Sequence, residues 1–333
     1  MKKITIIILW ILPIVIALFS FIIGRYNVDI MNAIKILISQ IFPMEKTWTT
    51  MQETVILQIR LPRILLALLI GSGLAISGAS FQGMFGNPLV SPDILGVSAG
   101  AGFGASLAIL ISGQGFIVQI IALFAGLGAI FLTYIISGIR KNAPIVTLVL
   151  AGVVTSALFQ ALISLTKFVA DPEEKLPAIT YWLMGSFGTA SYRDLYLAGP
   201  LILIGTIILY LIRWRINLLT LPEDEAKSLG ISVVKLKWVV IFASTLITAA
   251  SVAVAGIIGW VGLIIPHIAR MIVENNNQLV FPVCISIGAS YLLFVDNIAR
   301  SITATEIPLS ILTAIIGAPI FAYLLHKARG IWT

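Results

Sequence analysis

Long apolar runs recur along the whole chain, and they restrict what it can fold into more than any other feature. They follow one another from residue 4 to residue 326 with few charged interruptions. A run of about 20 apolar residues crosses the hydrocarbon core of a bilayer as a helix. Only 11% of the 333 residues are charged, whereas a soluble domain carries about 25%. These features predict an all-α, polytopic membrane protein that forms a single transmembrane domain over residues 1–333.

Hydropathy divides this domain into about ten transmembrane helices. The predicted spans are 4–24, 61–82, 94–112, 116–137, 143–166, 194–213, 236–257, 263–273, 279–298 and 308–326. The first run resembles a signal peptide, but it lacks a small-x-small cleavage site and is too long for the apolar part of one. We therefore expect it to be retained as the first span.

The positions of Lys and Arg indicate the orientation of the spans. Basic clusters lie beside predicted span ends at the N-terminus, at Arg140–Lys141 and at the C-terminus. They give a modest excess of positive charge on one side, and we expect both termini to be cytoplasmic. The net charge of +7 suits basic cytoplasmic loops in contact with lipid and gives no argument for nucleic-acid binding.

A weak internal echo links two glycine-rich segments, 74–89 and 252–267, which align without gaps. The aligned pairs include Gly78 with Gly256 and Pro88 with Pro266. The segments lie five predicted spans apart, and an odd number of spans inverts the topology, which is typical of transporters. The echo predicts inverted repeat halves of approximately 61–193 and 236–333. The alternative is that two unrelated glycine-rich helices align by chance.

The sequence is poor in the residues that drive chemistry or ion coupling. No charged residue falls at the middle of a predicted span, as a proton or sodium relay would require. The chain has no GxxxxGK[ST] phosphate loop and no HExxH motif, and its single cysteine, Cys284, cannot form a disulfide framework. We expect no catalytic residue and no bound metal or cofactor. An ion-coupled secondary transporter and a membrane scaffold or enzyme remain as alternatives.

The loop 214–235 contains a short predicted helix, in the stretch "LPEDEAKSLG". Thr220 and Glu223 form a capping-box pattern, and Gly230 is placed to end the helix after about eight residues. Ala226 and Leu229 share a side by their i,i+3 spacing. The predicted helix lies on the cytoplasmic face as a surface for a partner, or it is an ordinary solvated connector.

Two arginines, Arg60 and Arg63, flank Pro62 at the outer mouth of the second span. Three residues apart on a helix, they would point the same way. Guanidinium groups suit bidentate pairing with carboxylates, so the pair is a candidate docking point for an external protein. The alternative is that both side chains extend along the lipid surface to reach water.

The stretch "FGNPLVSPDILGVSAG" (85–100) interrupts two apolar runs. Pro88 and Pro92 predict a broken turn at the cytoplasmic end of the second span. Polar groups at such a depth are tolerated where they face protein or a water-filled cavity. Asp93 is expected to cap the third span.

Several of these motifs together resemble those of the FecCD-type permeases. These are membrane subunits of binding-protein-dependent ABC importers for iron–siderophore complexes, haem and cobalamin. The resemblance covers nearly the whole chain in the same order. It rests on "RLPRILLALLIGSGLAISGASFQGMFGNPLVSPDILGVSAGAGFGA", "YWLMGSFG", "EDEAKSLGI", "AVAGIIGWVGLIIPHIAR" and "VDNIAR".

The resemblance implies ten helices per subunit, with two permease subunits, identical or different, forming the pathway in a prokaryotic plasma (inner) membrane. It also implies two ATPase subunits, which hold ATP and Mg, and an extracytoplasmic substrate-binding protein. The site residues it implies fall into three groups. They are Arg60, Arg63 and Arg300 for docking the binding protein, Asn87, Pro88 and Leu89 for a cytoplasmic gate, and Glu223, Glu225, Ala226, Leu229 and Gly230 for a coupling helix on the ATPase.

The expected function is therefore that of a permease subunit of an ATP-driven type II ABC importer. The expected cargo is an iron(III)-siderophore-type chelate. Cobalamin, haem and molybdate are the alternatives within the same family.

Overall fold

A computed structural model describes residues 2–138, 145–220, 223–230 and 232–328. Every regular element in these ranges is helical. The α-helices are α1 (Lys2–Ser20), α2 (Ile30–Ser39), α3 (Thr50–Thr54), α4 (Leu61–Phe85), α5 (Val97–Ser112), α6 (Phe116–Ile136), α7 (Ile145–Val169), α8 (Lys175–Leu183), α9 (Tyr192–Ile216), α10 (Glu223–Ser228), α11 (Val233–Ala255), α12 (Val261–Val273), α13 (Asn277–Ser301) and α14 (Leu309–Ala328). A π-helical turn, Val55–Arg60, leads into α4, and short 3-10 turns cover Pro92–Leu95 and Asn217–Thr220.

Each of the ten predicted spans coincides with one helix, with ends that differ by several residues. Among the described residues, six helical segments are long and apolar enough to cross a membrane. They are Thr50–Phe85, Phe116–Ile136, Val146–Val169, Tyr192–Leu219, Val233–Ala255 and Asn277–Ser301. The helices α1, α5, α12 and α14 contain shorter apolar segments, so ten crossings stay a prediction. The short apolar helix α2 was not predicted, and the basic pair Arg140–Lys141 lies outside the described residues.

The helix α4 forms the centre of the bundle and is buried along most of its length. It packs against α9, α11, α12 and α13. Gly71 faces the backbone of Gly288 on α13, and Gly78 faces the backbone of Gly262 on α12, so closely that neither position has room for a Cβ atom. Small residues allow such backbone contact where lipid supplies no hydrophobic force between helices.

The two ends of α4 define the two ends of the bundle. With 25 residues, α4 is about 37 Å long at 1.5 Å per residue. The arginine end is the end where α4 begins and where Arg63 meets the last turns of α13. The amide end is the opposite end, where Gly83 of α4 faces Asn277 at the start of α13. The helix α1 begins at the amide end and α14 finishes there, and α10 lies at that end as well.

The two segments of the internal echo fold differently. Gly78 lies inside α4, whereas its counterpart Gly256, with φ +69°, ends α11. Pro88 lies in a turn, whereas Pro266 lies inside α12. The predicted repeat halves thus gain no support from these segments, and the inverted repeat stays a prediction.

The broken turn between α4 and α5 has the predicted position, but Asp93 does not cap α5. Gly86, with φ +60°, ends α4, and the 3-10 turn Pro92–Leu95 precedes α5. The N-cap residue of α5 is Gly96, which has no side chain to offer. Asp93 instead accepts a hydrogen bond from the Ser98 hydroxyl. Burial raises the pKa of the Asp93 carboxyl, although the Ser98 hydrogen bond acts against this.

Candidate functional site

At the arginine end, Arg63 holds two carboxylates from different parts of the chain. Its Nε lies 3.1 and 3.0 Å from the two carboxylate oxygens of Asp296, and its Nη2 lies 2.8 Å from Asp296 Oδ1. Its Nη1 and Nη2 donate to Glu306 at 2.8 and 2.9 Å. Asp296 on α13 is fully buried, and Arg63 is only 4% exposed. The guanidinium therefore has both of its forked faces occupied within the chain.

The other two predicted docking arginines are also buried, and they hold the end of α1. Arg60 donates to the backbone carbonyls of Phe21 and Tyr26, the latter at 2.5 Å. Arg300 donates to the carbonyl of Ser20 at 2.7 Å and to the side chain of Asn297. The last carbonyls of a helix have no partner within it and carry the negative end of its dipole. Arg60 and Arg300 therefore supply hydrogen-bond donors to these carbonyls and place positive charge beside the negative end of the dipole.

Arg60 and Arg63 do not share a partner, and the prediction that they point the same way stays a prediction. Arg60 is directed to the C-terminus of α1, and Arg63 is directed to the carboxylates of α13 and of the α13–α14 loop. Each guanidinium is held by its own set of acceptors within the chain. The alternative that both side chains extend along the lipid surface is wrong, because both are buried.

Glu306, which no sequence pattern singled out, is the outermost member of this cluster. It lies on the α13–α14 loop, where residues 302–305 are exposed, and its own side chain is 22% exposed. Burial by itself raises the pKa of the Glu306 carboxyl, but the hydrogen bonds and charge of Arg63 and the charges of Arg25 and Arg300 together hold it below its ordinary value. Glu306 also borders a cavity of about 930 Å³ beside Trp182.

At the amide end, the predicted gate residues form a compact turn. The side chain of Asn87 accepts a hydrogen bond of 2.9 Å from the backbone N–H of Leu89, which is the geometry of an Asx turn. The Asn87 N–H donates to the carbonyl of Gln82 on the last turns of α4. Leu89 is 55% exposed and Pro88 is half-buried. The turn therefore presents an apolar side chain at the surface of the single chain.

The predicted coupling helix is present as α10, but it is shorter than expected and its faces differ from the prediction. Ala226 is fully buried, while Glu225 and Leu229 are exposed, so Ala226 and Leu229 do not share a surface. Gly230, with φ +76°, follows the end of the helix in the left-handed conformation that glycine adopts readily. The side chains of the predicted capping box, Thr220 and Glu223, lie outside the description.

Comparison with known proteins identifies the class to which this bundle belongs. The family model described as "FecCD transport family" matches residues 11–327. The chain is therefore a membrane permease of the ABC importer class. It belongs to the FecCD transport family.

Two relatives and one solved structure are close to the chain over most of its length. It is 44% identical to the molybdate import system permease protein MolB of Haemophilus influenzae, over 96% of this chain and 95% of that protein. It is 40% identical to a probable iron chelatin transport system permease protein of Helicobacter pylori, over 83% and 84%. A solved structure described as an inward-facing metal-chelate type ABC transporter is 43% identical, with a TM-score of 0.87 over 97% of this chain and 99% of that chain.

Proposed function

We propose that this chain is the membrane subunit of an importer that is driven by ATP on separate subunits. Two permease subunits, identical or different, form the pathway; two ATPase subunits bind at the amide end, which faces the cytoplasm; a substrate-binding protein docks at the arginine end. The observation that carries this assignment is α10 with its exposed Leu229, at the end of the bundle where α1 begins and α14 finishes. A transporter without a nucleotide site of its own needs such a surface for its motor.

In this proposal, the motor acts on α10 and the pathway closes at the turn Asn87–Leu89. Ala226 anchors α10 to the bundle, while Glu225 and Leu229 contact the ATPase. Closure of the ATPase subunits on ATP moves α10 and tilts the two permease subunits, which opens the outer and inner mouths alternately. The exposed Leu89 of each subunit meets its counterpart when the inner mouth closes.

The cargo we propose is a metal-containing solute, and we place the oxyanion molybdate before an iron(III) chelate. The sequence motifs by themselves favour the chelate. The relative named for molybdate matches this chain more closely and over more of its length than the relative named for an iron chelatin. The structure described as metal-chelate type supports the same cargo class. Haem and cobalamin stay as further candidates.

Reconstituted transport tests the assignment directly. The chain is placed in liposomes with an ATPase subunit and a substrate-binding protein from the same organism, and uptake of molybdate, ferric siderophore and cobalamin is measured with and without ATP. We expect ATP-dependent uptake that requires both partner proteins and is greatest for molybdate. Uptake driven by an ion gradient in the absence of the ATPase would contradict the proposal and favour a secondary transporter.

Docking of the binding protein at Arg63 involves an exchange in this proposal, because both forked edges of the guanidinium, Nε–Nη2 and Nη1–Nη2, already hold carboxylates. Glu306 holds the outer side of the guanidinium and is the only one of the two carboxylates with an exposed side chain. A carboxylate from the binding protein can reach Arg63 only if Glu306 moves aside with its loop. Glu306 therefore occupies the place that the partner's carboxylate takes on docking.

This exchange predicts that Glu306→Gln tightens docking. The neutral amide pairs more weakly with Arg63 than a carboxylate does, since a charge-assisted hydrogen bond is about twice as strong as a neutral one. We expect a several-fold lower Kd for the binding protein in titrations by surface plasmon resonance. The matched control is Glu53→Gln at the same end of the bundle, where Glu53 accepts from the exposed Lys46 and from Trp48 but contacts no docking arginine, so the Kd should stay unchanged. Weaker docking in Glu306→Gln would mean that Glu306 itself contacts the partner.

A further inference from the structure

A cluster of amide side chains joins the end of α9 to the start of α13 at the amide end. We call Asn217, Arg270, Asn276 and Asn277 the amide clamp. The Asn217 side chain accepts a hydrogen bond of 3.0 Å from the backbone N–H of Asn277 and donates one of 3.1 Å to the side chain of Asn276. The side chain of Arg270, on α12, donates to Asn277 Oδ1 at 3.3 Å. Three helices are thus tied together at one point.

The clamp also contacts the last turns of α4. Arg270 donates to the carbonyl oxygen of Ala79 at 3.3 Å. A Cβ atom at Gly83 would lie 2.8 Å from Cγ2 of Ile216 and 3.2 Å from Nδ2 of Asn277, so the backbone of α4 packs directly on the clamp. Asn277 is 3% exposed. Any shift of Asn217 relative to α13 therefore changes the contacts that the clamp makes with the last turns of α4.

The clamp lies between the two elements that move in the proposed mechanism, α10 and the turn Asn87–Leu89. Asn217 begins the 3-10 turn Asn217–Thr220, which leads to α10. On the other side, a cavity of about 430 Å³ separates the clamp from the turn at Asn87 and Pro88. The cavity leaves that turn room to move, while the clamp holds the helix from which the turn emerges.

We propose that the amide clamp transmits the movement of α10 to the turn Asn87–Leu89 by way of Asn277 and the last turns of α4. This inference rests on the proposed function, because it needs an ATPase that acts on α10. Asn217 is a positioning residue in this scheme. It contacts neither cargo nor nucleotide and acts through Asn277.

The critical substitution is Asn217→Ala, which removes both side-chain hydrogen bonds of Asn217 to α13 and its N-cap. We expect the number of ATP molecules hydrolysed per cargo molecule imported to rise at least about fivefold, the factor that one of the two lost hydrogen bonds contributes. Asn217→Asp retains an acceptor for the Asn277 N–H, so its ratio of ATP hydrolysed to cargo imported should lie between that of Asn217→Ala and that of the wild type. Asn275→Ala, an exposed neighbour in the same asparagine run, is the matched control and should leave the ratio unchanged. A lower rate of uptake with an unchanged ratio would overturn the proposal, since a merely structural role lowers both rates together.

Spin labels separate failure of this inference from failure of the proposed function. The one native cysteine, Cys284, is buried, so labels can be attached selectively at Leu229→Cys and Leu89→Cys, both of which replace exposed side chains. In the assembled complex, we expect ATP to change the spectra at both positions, and Asn217→Ala to abolish the change at position 89 only. Responses at both positions in Asn217→Ala would overturn the clamp alone. The absence of any response at position 229 in the wild-type background would overturn the proposed function and the clamp with it.

Discussion

Arg63→Met will destabilise the folded permease by roughly 3–5 kcal/mol, the cost of leaving a buried charge without its partner. Asp296 is fully buried, and Arg63 contacts both of its carboxylate oxygens. Arg300 makes no hydrogen bond to Asp296, because its Nε lies 3.9 Å from Oδ2 and its Nη2 is held by the Ser20 carbonyl and the Asn297 side chain. The measurement is thermal unfolding in detergent, where we expect a large fall in Tm.

Two further variants assign this loss to the unpaired carboxylate. Arg63→Met combined with Asp296→Asn removes both charges, and we expect it to recover a large part of the lost stability. Lys46→Met breaks the exposed pair with Glu53, and it should cost only about 0–1 kcal/mol. If the double variant is less stable than Arg63→Met alone, Asp296 stabilises the fold through a partner other than Arg63.

The helices could be predicted from the sequence because hydropathy is a local property. Each predicted span required only the residues within it, and each coincides with a helix. The same holds for Gly230 after α10, where the backbone conformation suits glycine. What hydropathy does not decide is which of the shorter apolar helices cross the membrane, because packing in the bundle sets their depth.

The roles of the arginines could not be predicted, because their partners are remote in sequence. Glu306 lies 243 residues from Arg63, and Asp296 lies 233 residues from it. Arg60 pairs with backbone carbonyls at the end of α1, which carry no sequence signal at all. The motif "RLPR" indicates that two cations are required at this point. Only the fold shows that both cations already have partners within the chain.

The amide clamp was missed for a related reason. The run "NNN" at 275–277 has the composition of a solvated turn, and its first member is indeed exposed. Asn277 becomes buried only because α4 offers no side chain at Gly83, so that the amide fits against the helix backbone. Both the charge cluster at one end and the clamp at the other therefore depend on α4, the helix that packs against most of its neighbours through glycine.

Gly78→Val will prevent α4 from packing on α12, and we expect little folded protein or a loss at the upper end of the roughly 1–3 kcal/mol typical of overpacking. A Cβ atom at position 78 would overlap the carbonyl carbon and oxygen of Gly262, and a helix backbone cannot move aside as a flexible side chain can. The position of α12 also sets that of Arg270, so the clamp should loosen together with the core. The measurement is the yield of monodisperse protein in detergent and its Tm.

The matched control for this substitution lies on α6, where Gly128 is exposed and a Cβ atom would meet nothing within 4 Å. Gly128→Ala should raise stability, because alanine is favoured over glycine inside a helix by about 1 kcal/mol. Gly78→Ala should lower it, since even one methyl group overlaps Gly262. Opposite signs for the same change in two helices would show that backbone contact at α4 decides the outcome and that helix propensity does not. Equal stability gains at both positions would mean that α4 and α12 can separate without cost. The close packing at the centre of the bundle would then not contribute to stability.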